Sequence, residues 1–525
     1  MSMSDQPRSF TGAVATPHTL ATDASVAAFR DGGSAIDAAI AAAAVLTVVY
    51  PHNVALGGDL IALVRTPEGA VSCVNASGWA AAATDAAAMR AAHGAALPDR
   101  GADTVTVPGG VRGWQTLREM GSRLSWARLL EPAREIADVG APVARSLAAH
   151  LVDPENADLF GLADFDRVFR PDGRPLRGGE SLRQPRLAET FAALADGGAD
   201  EFYTGALAAR TVQYLRSQGS VLAAADFAEF EPEVAEPISL DYHGLTVFTS
   251  PPNTHGFMAL RTLNALARQG FSAPLGRGMG ALVREFHLGN RLRTAHLADP
   301  RMVPVDVEAL IQDEFTGQPA AEVVRSIPGG DTVGVAAADS DGYAISLIQS
   351  VFHAFGSGLV DPDTGVLFHD RGTSFSLDPN SPNVLAPRKR PLHTLMPMMT
   401  TERGAVRHVL ATMGGQGQPQ ILTQVLLRML DGVNPEYAIA APRVIVGAQM
   451  YGCTPDSVVV EADADPSAIA ALGETGLSVV EVPAQSEGLG QANVVAVADD
   501  GQLTAAADPR ADGSAVVVQY ARMHA

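Results

Sequence analysis

Residues 329–350 read GGDTVGVAAADSDGYAISLIQS, two runs of mostly apolar residues separated by the tetrapeptide DSDG. Asp-Gly is a strong turn signal, so the pattern predicts an antiparallel hairpin with strands at 332–338 and 343–350. A turn centred near Asp341 pairs positions whose numbers sum to about 682. The hairpin is therefore expected to place Thr332 opposite Ser350, to within one residue, at its open end.

A threonine hydroxyl is a weak nucleophile unless a base lies beside it. One known solution is a threonine whose own freed α-amine is that base, and an α-amine with a pKa of about 7.7 to 8 suits a general base at neutral pH. Ser350 would then hydrogen-bond to the hydroxyl or amine of Thr332 and hold it in place. A structural threonine at the start of a strand gives the same pattern, so the hairpin by itself does not establish catalysis.

Hydrophobic periodicity predicts helices in the first part of the chain, at 23–30, 34–49 and 278–298, with Ser34 and Asp37 in a capping arrangement. Residues 60–65 and 71–75 alternate about a turn and are expected to form a second hairpin. Strands dominate from about Gly329 onward. The helix-rich first part and strand-rich second part favour one layered body over separate domains.

The order of motifs along the chain resembles that of γ-glutamyltransferases, a family of N-terminal-nucleophile hydrolases. In that family the strand of the nucleophilic threonine is followed by an Asp-x-Asp-Gly turn, a second strand and a Phe-Gly-(Ser/Thr)-Gly motif. The corresponding residues here are Thr332, 339–342 and 355–358. Further matching motifs extend over nearly the whole chain: Gly32-Gly33-Ser34-Ala35, Pro51-His52, Gly57-Gly58, Gln184-Pro185, Pro251-Pro252, Lys389-Arg390-Pro391-Leu392, Gly414-Gly415, Ala441-Pro442-Arg443 and Ala507-Asp508-Pro509-Arg510.

The resemblance implies an α+β fold with a four-layer α/β/β/α sandwich, built as one composite domain. It also implies that the precursor cuts itself between Asp331 and Thr332, with the Thr332 hydroxyl attacking the Asp331 carbonyl in an N-to-O acyl shift. The products would be a helix-rich large fragment with the first sheet elements, residues 1–331, and a strand-rich small fragment, residues 332–525, which stay associated. Gly414 and Gly415 would form the oxyanion hole.

The positions expected to bind a γ-glutamyl group depart from the family pattern. The family's Arg-Glu-x-Ala-Pro segment, whose arginine binds the α-carboxylate, is replaced by SGWAA at 77–81, and its asparagine after the second hydroxyl residue is replaced by Phe352. Its Gln-x-x-Asp pair, where the Asp receives the α-ammonium, corresponds to Arg371 and Ser374. The catalytic residues therefore match while the residues that recognise a glutamyl group do not.

The family's Ser-Ser pair likewise corresponds to His393 and Thr394. Loss of the aspartate removes the counter-charge for an ammonium, and Arg371 is well suited to bind a carboxylate. These substitutions favour a substrate anion without an α-amino group. The alternatives are an Arg371 that turns to solvent or pairs with Asp370 or Asp363, and a His393 that is simply packed.

Three hypotheses follow for the function. The first is a hydrolase acting on a small carboxylate- or oxo-acid-bearing substrate, either an oxamate-like amide or an oxalyl group removed by C–C cleavage as in alkylproline antibiotic pathways. The second is an ordinary γ-glutamyl hydrolase or transpeptidase that uses glutathione. The third is an unprocessed, non-catalytic scaffold protein, against which the retention of Thr332, Ser350 and the glycine pair argues.

Composition and net charge limit the classes of partner that the protein is expected to bind. The net charge of -21, from 37 basic and 58 acidic residues, disfavours nucleic acid and anionic membranes. We expect a cytoplasmic enzyme without cofactor or metal, whose partners are a small-molecule substrate and its own two fragments; a homo-oligomer of the processed pair is left open. Cys73 and Cys453 permit at most one disulfide and have no metal-ligand spacing.

Overall fold

The computed structural model describes residues 8–270, 272–312 and 331–522. Its strands are β1 (Arg8–Thr16), β2 (Asp59–Arg65), β3 (Val71–Ala76), β4 (Ala141–Pro142), β5 (Ser181–Leu182), β6 (Glu233–Ala235), β7 (Ile238–Tyr242), β8 (Leu245–Thr249), β9 (Asp331–Asp339), β10 (Ala344–Phe352), β11 (Met398–Glu402), β12 (Ala405–Met413), β13 (Val444–Val446), β14 (Ser457–Glu461), β15 (Ser478–Val482), β16 (Gln491–Val497), β17 (Leu503–Ala507) and β18 (Ser514–Arg522).

The helices of the same residues are α1 (Thr19–Arg30), α2 (Ala35–Val49), α3 (Ala86–His93), α4 (Gly110–Glu119), α5 (Trp126–Val139), α6 (Arg145–His150), α7 (Ala163–Phe169), α8 (Pro185–Gly197), α9 (Asp200–Tyr203), α10 (Ala206–Ser217), α11 (Ala224–Ala228), α12 (Phe257–Gln269), α13 (Met279–His296), α14 (Val307–Gln312), α15 (Gln418–Leu430), α16 (Pro435–Ala440) and α17 (Pro466–Gly473).

Two antiparallel sheets lie face to face at the centre of the molecule. The first has seven strands in the order β18-β1-β9-β10-β2-β3-β6, and the second has six in the order β17-β16-β12-β11-β8-β7. Alternate residues of each strand point into the layer between the sheets, where Ile61 and Ile348 of the first sheet belong to one buried cluster with Val409 and Val495 of the second.

Helices cover the outer face of each sheet. Helices α1, α2 and α4 contact the first sheet, and α12, α15 and α16 contact the second. Every residue of α2 is buried, and the helix begins at the expected capping box, in which Ser34 and Asp37 satisfy each other's backbone N–H groups. The predicted four-layer α/β/β/α sandwich is therefore confirmed.

The register predicted for the central hairpin is also confirmed. Strands β9 and β10 pair from Ala338 with Ala344 to Val333 with Gln349, which keeps the sum of 682, and an irregularity then pairs Asp331 with Phe352. The carboxylate of Asp339 stabilises the turn by accepting hydrogen bonds from the backbone N–H groups of Asp341 and Tyr343. The hairpin thus delivers Thr332 and Ser350 to the same end of the sheet.

The described residues include no helix that is long and apolar enough to cross a membrane. Cys73 is buried, Cys453 is partly buried, and both are free thiols.

Candidate active site

The hydroxyl groups of Thr332 and Ser350 meet at the open end of the hairpin. Thr332 Oγ1 donates to Ser350 Oγ at 3.1 Å, and Ser350 Oγ donates to the carbonyl oxygen of Asp331 at 2.6 Å. Both side chains are about 1% exposed. The nucleophile candidate, its neighbour and the carbonyl before it therefore form one continuous chain of hydrogen bonds.

The end of α2 and the following loop hold this hairpin end in place. Asn53 Nδ2 donates to the carbonyl oxygen of Thr332 at 3.2 Å, and the Asn53 carbonyl accepts from the Val351 N–H at 3.0 Å. Gly58 lies so close to β10 that a Cβ there would be 2.4 Å from the Ser350 carbonyl oxygen. The Gly57-Gly58 motif is thus required for the close approach of this loop to the site.

Contacts between the sheets carry Gly414 and Gly415 toward Thr332. Ser346, which lies opposite Ala336, donates to the Leu410 carbonyl at 2.6 Å, and Gly334 packs directly on Thr412. Ala336 is thus level with Leu410, and Gly334 is level with Thr412, so the two strands run past each other in opposite directions. Continuing this alignment by two residues predicts that Thr332 lies level with Gly414, which has a φ of 142° and directly precedes a 3-10 turn.

A buried carboxylate that sequence reasoning missed lies beside the two hydroxyl groups. Asp59 pairs with Ser350 across β2 and β10, so Thr332, Ser350 and Asp59 lie on three adjacent strands and face the second sheet. The only sequence signal was an aspartate at the start of an apolar strand, directly after the Gly57-Gly58 motif. Asp59 is fully buried.

Two histidines and a backbone amide surround the Asp59 carboxylate. Asp59 Oδ1 accepts the Gly78 N–H at 3.0 Å, while Oδ2 lies 3.0 Å from His393 Nε2 and 3.3 Å from His369 Nδ1. Burial by itself would raise the pKa of Asp59, but the two histidines hold it well below its ordinary value. Asp59 is therefore ionised at neutral pH.

His393 is neutral, because burial and then the Arg371 charge lower its pKa to about 3. Its Nδ1 accepts the Leu395 N–H at 3.3 Å, so Nε2 carries the proton and donates to Asp59. The sequence left open whether His393 is packed or contacts a functional group. The structure shows that it is packed and also binds the Asp59 carboxylate.

The guanidinium of Arg371 is also fully buried in this cluster, so the alternative in which it turns to solvent is wrong. Its Nη1 donates to Thr394 Oγ1 at 3.2 Å, and its Cζ lies 3.9 Å from the centre of the Phe352 ring. Burial lowers the pKa of Arg371 to about 10, so it stays protonated at neutral pH. Asp370 does not bind it by hydrogen bonds, because its carboxylate accepts the backbone N–H and the ring of His353.

A carboxylate that the sequence did not identify lies near Arg371. The sequence offered Asp370 or Asp363 as its possible partner, and the structure adds Asp59, whose Oδ2 lies 3.9 Å from Arg371 Nε. That distance is too long for a hydrogen bond, and both Nε and Nη2 lack a hydrogen-bond acceptor among the residues that the structure describes. Ser374 ends the 3-10 turn that begins at Arg371, and its carbonyl accepts from Asn383 Nδ2 at 2.6 Å.

A cleft of about 750 Å³ reaches the open end of the hairpin at Asp331. It is lined by Asp331 and Met413, which precede Thr332 and Gly414, and by His150, His353 and Glu487. Since Thr332 is almost fully buried in this uncleaved chain, Asp331 separates the nucleophile candidate from the cleft.

His52, His150 and Glu487 come close enough together to be considered as metal ligands. One polar atom of each of these residues is engaged by Ser146, however. The Ser146 hydroxyl donates to Glu487 and accepts from His52 Nε2, which lies 2.9 Å away, and the Ser146 carbonyl accepts from His150 Nδ1 at 2.9 Å. We therefore interpret this group as a hydrogen-bond network.

A family model described as gamma-glutamyltranspeptidase matches residues 21–518. The chain is 37% identical to the glutathione hydrolase-like YwrD proenzyme of Bacillus subtilis, over 96% of this chain and 98% of that protein. It is 36% identical to the oxamate amidohydrolase proenzyme of Klebsiella pneumoniae, with the same coverage of 96% and 98%.

Solved structures show the same similarity in three dimensions. The crystal structure of cephalosporin acylase from Bacillus halodurans superimposes with a TM-score of 0.86 at 33% sequence identity. The match covers 98% of this chain and 96% of that one. The fold derived above is therefore that of a known enzyme architecture over nearly its full length.

Proposed function

Because this chain belongs to the gamma-glutamyltranspeptidase family, whose members are N-terminal-nucleophile hydrolases and transferases made as proenzymes, we propose that it cuts itself between Asp331 and Thr332. Thr332 then forms the acyl-enzyme in each turnover. The observation that carries this proposal is the chain of hydrogen bonds from Thr332 through Ser350 to the Asp331 carbonyl.

The direction of these hydrogen bonds supports a proton relay during self-cleavage. As Thr332 Oγ1 bonds to the Asp331 carbonyl carbon, its proton passes to Ser350, and the Ser350 proton passes to the carbonyl oxygen. The resulting neutral tetrahedral intermediate collapses when its new hydroxyl group gives up its proton and the C=O bond re-forms. The C–N bond breaks and the nitrogen takes up that proton, leaving an ester between Asp331 and Thr332. Water hydrolyses this ester and frees the Asp331 carboxyl group and the Thr332 amine.

The freed α-amine of Thr332 is the general base for the substrate reaction, as its ordinary pKa near neutrality allows. Departure of Asp331 connects the cleft to Thr332, and the N–H groups of Gly414 and Gly415 stabilise the oxyanion that forms there. Water then releases the acyl group. The two products of self-cleavage, residues 1–331 and 332–525, together form one enzyme.

The substrate that we propose is a small amide or oxo-acid whose carboxylate lies close to the scissile carbonyl and that has no free α-amino group. Arg371 has two buried nitrogens, Nε and Nη2, that find no acceptor in the described part of the chain and that a substrate carboxylate would satisfy. Phe352 and Thr394 orient its guanidinium, and Ser374 lies on the same turn. The 36% identity to an oxamate amidohydrolase proenzyme supports this class of substrate.

Glutathione is the second candidate, favoured by the 37% identity to a glutathione hydrolase-like proenzyme. A γ-glutamyl group carries an α-ammonium, and Asp59 has both oxygens engaged by Gly78 and the two histidines. An ammonium left without an anionic partner would cost a few kcal/mol, on the order of 10²-fold in affinity. The structure therefore favours the anion over the zwitterion.

Two experiments test the proposal. Denaturing electrophoresis of the purified protein should give two bands, the smaller beginning Thr-Val-Gly-Val at Thr332, while Thr332→Ala stays full length. A folded wild-type chain that never cleaves would contradict the first part.

The processed enzyme should hydrolyse oxamate or an oxalyl amide with a higher kcat/KM than glutathione or γ-glutamyl-p-nitroanilide. Arg371→Ala should raise KM for the anion while self-cleavage continues, and Arg371→Lys should restore part of the loss because it keeps the charge. If glutathione is the best substrate, the second candidate replaces the first.

A further inference from the structure

Asp331 carries a side-chain carboxylate that the relay described above does not use. It lines the cleft, and its Oδ1 is 3.7 Å from His150 Nε2. Both side chains are partly buried, with 16% of Asp331 and 19% of His150 exposed. The residue that precedes the scissile bond is therefore held by an ion pair from α6.

The hydrogen bonds of His150 define which of its nitrogens faces Asp331. A carbonyl oxygen can only accept, so His150 Nδ1 donates to the Ser146 carbonyl at 2.9 Å. Nε2 is left to face Asp331. Burial by itself would lower the pKa of His150, but the carboxylates of Asp331 and Glu487 raise it to about 9, so the ring is an imidazolium at neutral pH.

The charged and titratable groups around His150 come from several elements: Asp331, Glu487, Glu155 and His52. Burial keeps His52 neutral, and its ring packs against His150 at a centroid distance of 4.6 Å. His52 Nε2 lies 2.9 Å from the Ser146 hydroxyl, which is itself bound to Glu487. Among these groups, Asp331 is the one that adjoins the proposed scissile bond.

We propose that His150 is a positioning residue for self-cleavage, which holds the Asp331 side chain through a direct ion pair while Thr332 attacks the adjacent carbonyl. This inference rests on the proposed cleavage between Asp331 and Thr332. The ion pair fixes the rotation of Asp331, so that its carbonyl stays hydrogen-bonded to Ser350. It also offsets the negative charge of the carboxylate, which would otherwise oppose the build-up of electron density on the carbonyl oxygen of the same residue before the Ser350 proton reaches it.

A double-mutant cycle on self-cleavage tests this role. We expect His150→Gln to slow cleavage at pH 7 by roughly tenfold to hundredfold, the range of one lost charge partner at a reacting centre. Asp331→Asn removes the carboxylate, so adding His150→Gln to Asp331→Asn should slow cleavage no further. If His150→Gln slows both backgrounds equally, His150 only supports packing against His52 and the proposal is overturned.

The pH dependence gives a second readout that a packing role would not change. His150 is protonated below about pH 9, so the advantage of the wild type over His150→Gln should be present at neutral pH and disappear as the pH rises through about 9. His150→Arg keeps its charge at that pH and should retain the advantage. A ratio of wild-type to His150→Gln rates that is constant from pH 6 to 10 would overturn the proposal.

His287 provides a matched control, because it is 21% exposed and its Nε2 lies 2.8 Å from Asp456 Oδ1. Neither His287 nor Asp456 lines the cleft. His287→Gln should cleave at the wild-type rate, and thermal unfolding should show that each variant is folded. If the wild type cleaves at Thr332 and His150→Gln cleaves equally fast, this proposal fails while the proposed function stands. If the folded wild type does not cleave at all, both fail.

Discussion

Ser350 illustrates how much depends on a single hydroxyl group, which accepts a hydrogen bond from Thr332 and donates one to the Asp331 carbonyl. Ser350→Ala should therefore slow self-cleavage and lower kcat by roughly 10²–10³-fold, as expected for one preorganised hydrogen bond at a reacting centre. Ser350→Thr should keep most activity. The matched control is Ser346→Ala, on the same strand as Ser350. This substitution removes a buried hydrogen bond to the Leu410 carbonyl of β12 and should cost about 1 kcal/mol of stability without a specific kinetic loss. Time courses on denaturing gels and steady-state kinetics measure both, and equal effects of the two serines would contradict the relay.

At the scale of secondary structure, the site depends on how closely β9 approaches β12. A Cβ on Gly334 would lie 2.7 Å from the backbone nitrogen of Thr412, which cannot move aside as a side chain could. Gly334→Ala should separate the strands, cost about 1–3 kcal/mol and slow self-cleavage by moving Thr332 away from Gly414. Gly289→Ala on α13 is the control, because its Cβ would meet only the flexible Met258 side chain and the substitution favours the helix. Thermal unfolding and cleavage rates should distinguish the two, and a Gly334→Ala protein of unchanged stability would contradict this account of the sheet contact.

For the whole molecule, the strand order explains how two fragments can behave as one enzyme. Strands β9, β10 and β18 of the 332–525 segment lie among β1, β2, β3 and β6 of the 1–331 segment, with only the first residue of β9 preceding the cut. Separation would break rows of buried hydrogen bonds, so the cleaved pair should elute as one species in native buffer and come apart only in denaturant. After dilution from denaturant, uncleaved Thr332→Ala should refold more completely, because its segments remain tethered. Dissociation of the wild-type fragments in native buffer would contradict this expectation.

Local pattern was sufficient to predict much of this architecture. The DSDG turn and the alternation on either side predicted the register of β9 and β10, because an antiparallel hairpin with a short turn permits few pairings. Ser34 and Asp37 predicted the start of α2, because a capping box involves residues only three apart. The motif order predicted the family, which the match over residues 21–518 confirms.

What the sequence by itself determined is thus the hairpin that carries Thr332 and Ser350, the layered fold and the family. Only the tertiary structure revealed that Asp59 lies beside Ser350 and is engaged by His369 and His393, and that His150 faces Asp331. These contacts join residues far apart in the chain, as with Asp59 and His393, which are 334 positions apart. Their charges are set by burial and by neighbours from other elements, and no local pattern encodes which distant side chains the packing of two sheets brings together.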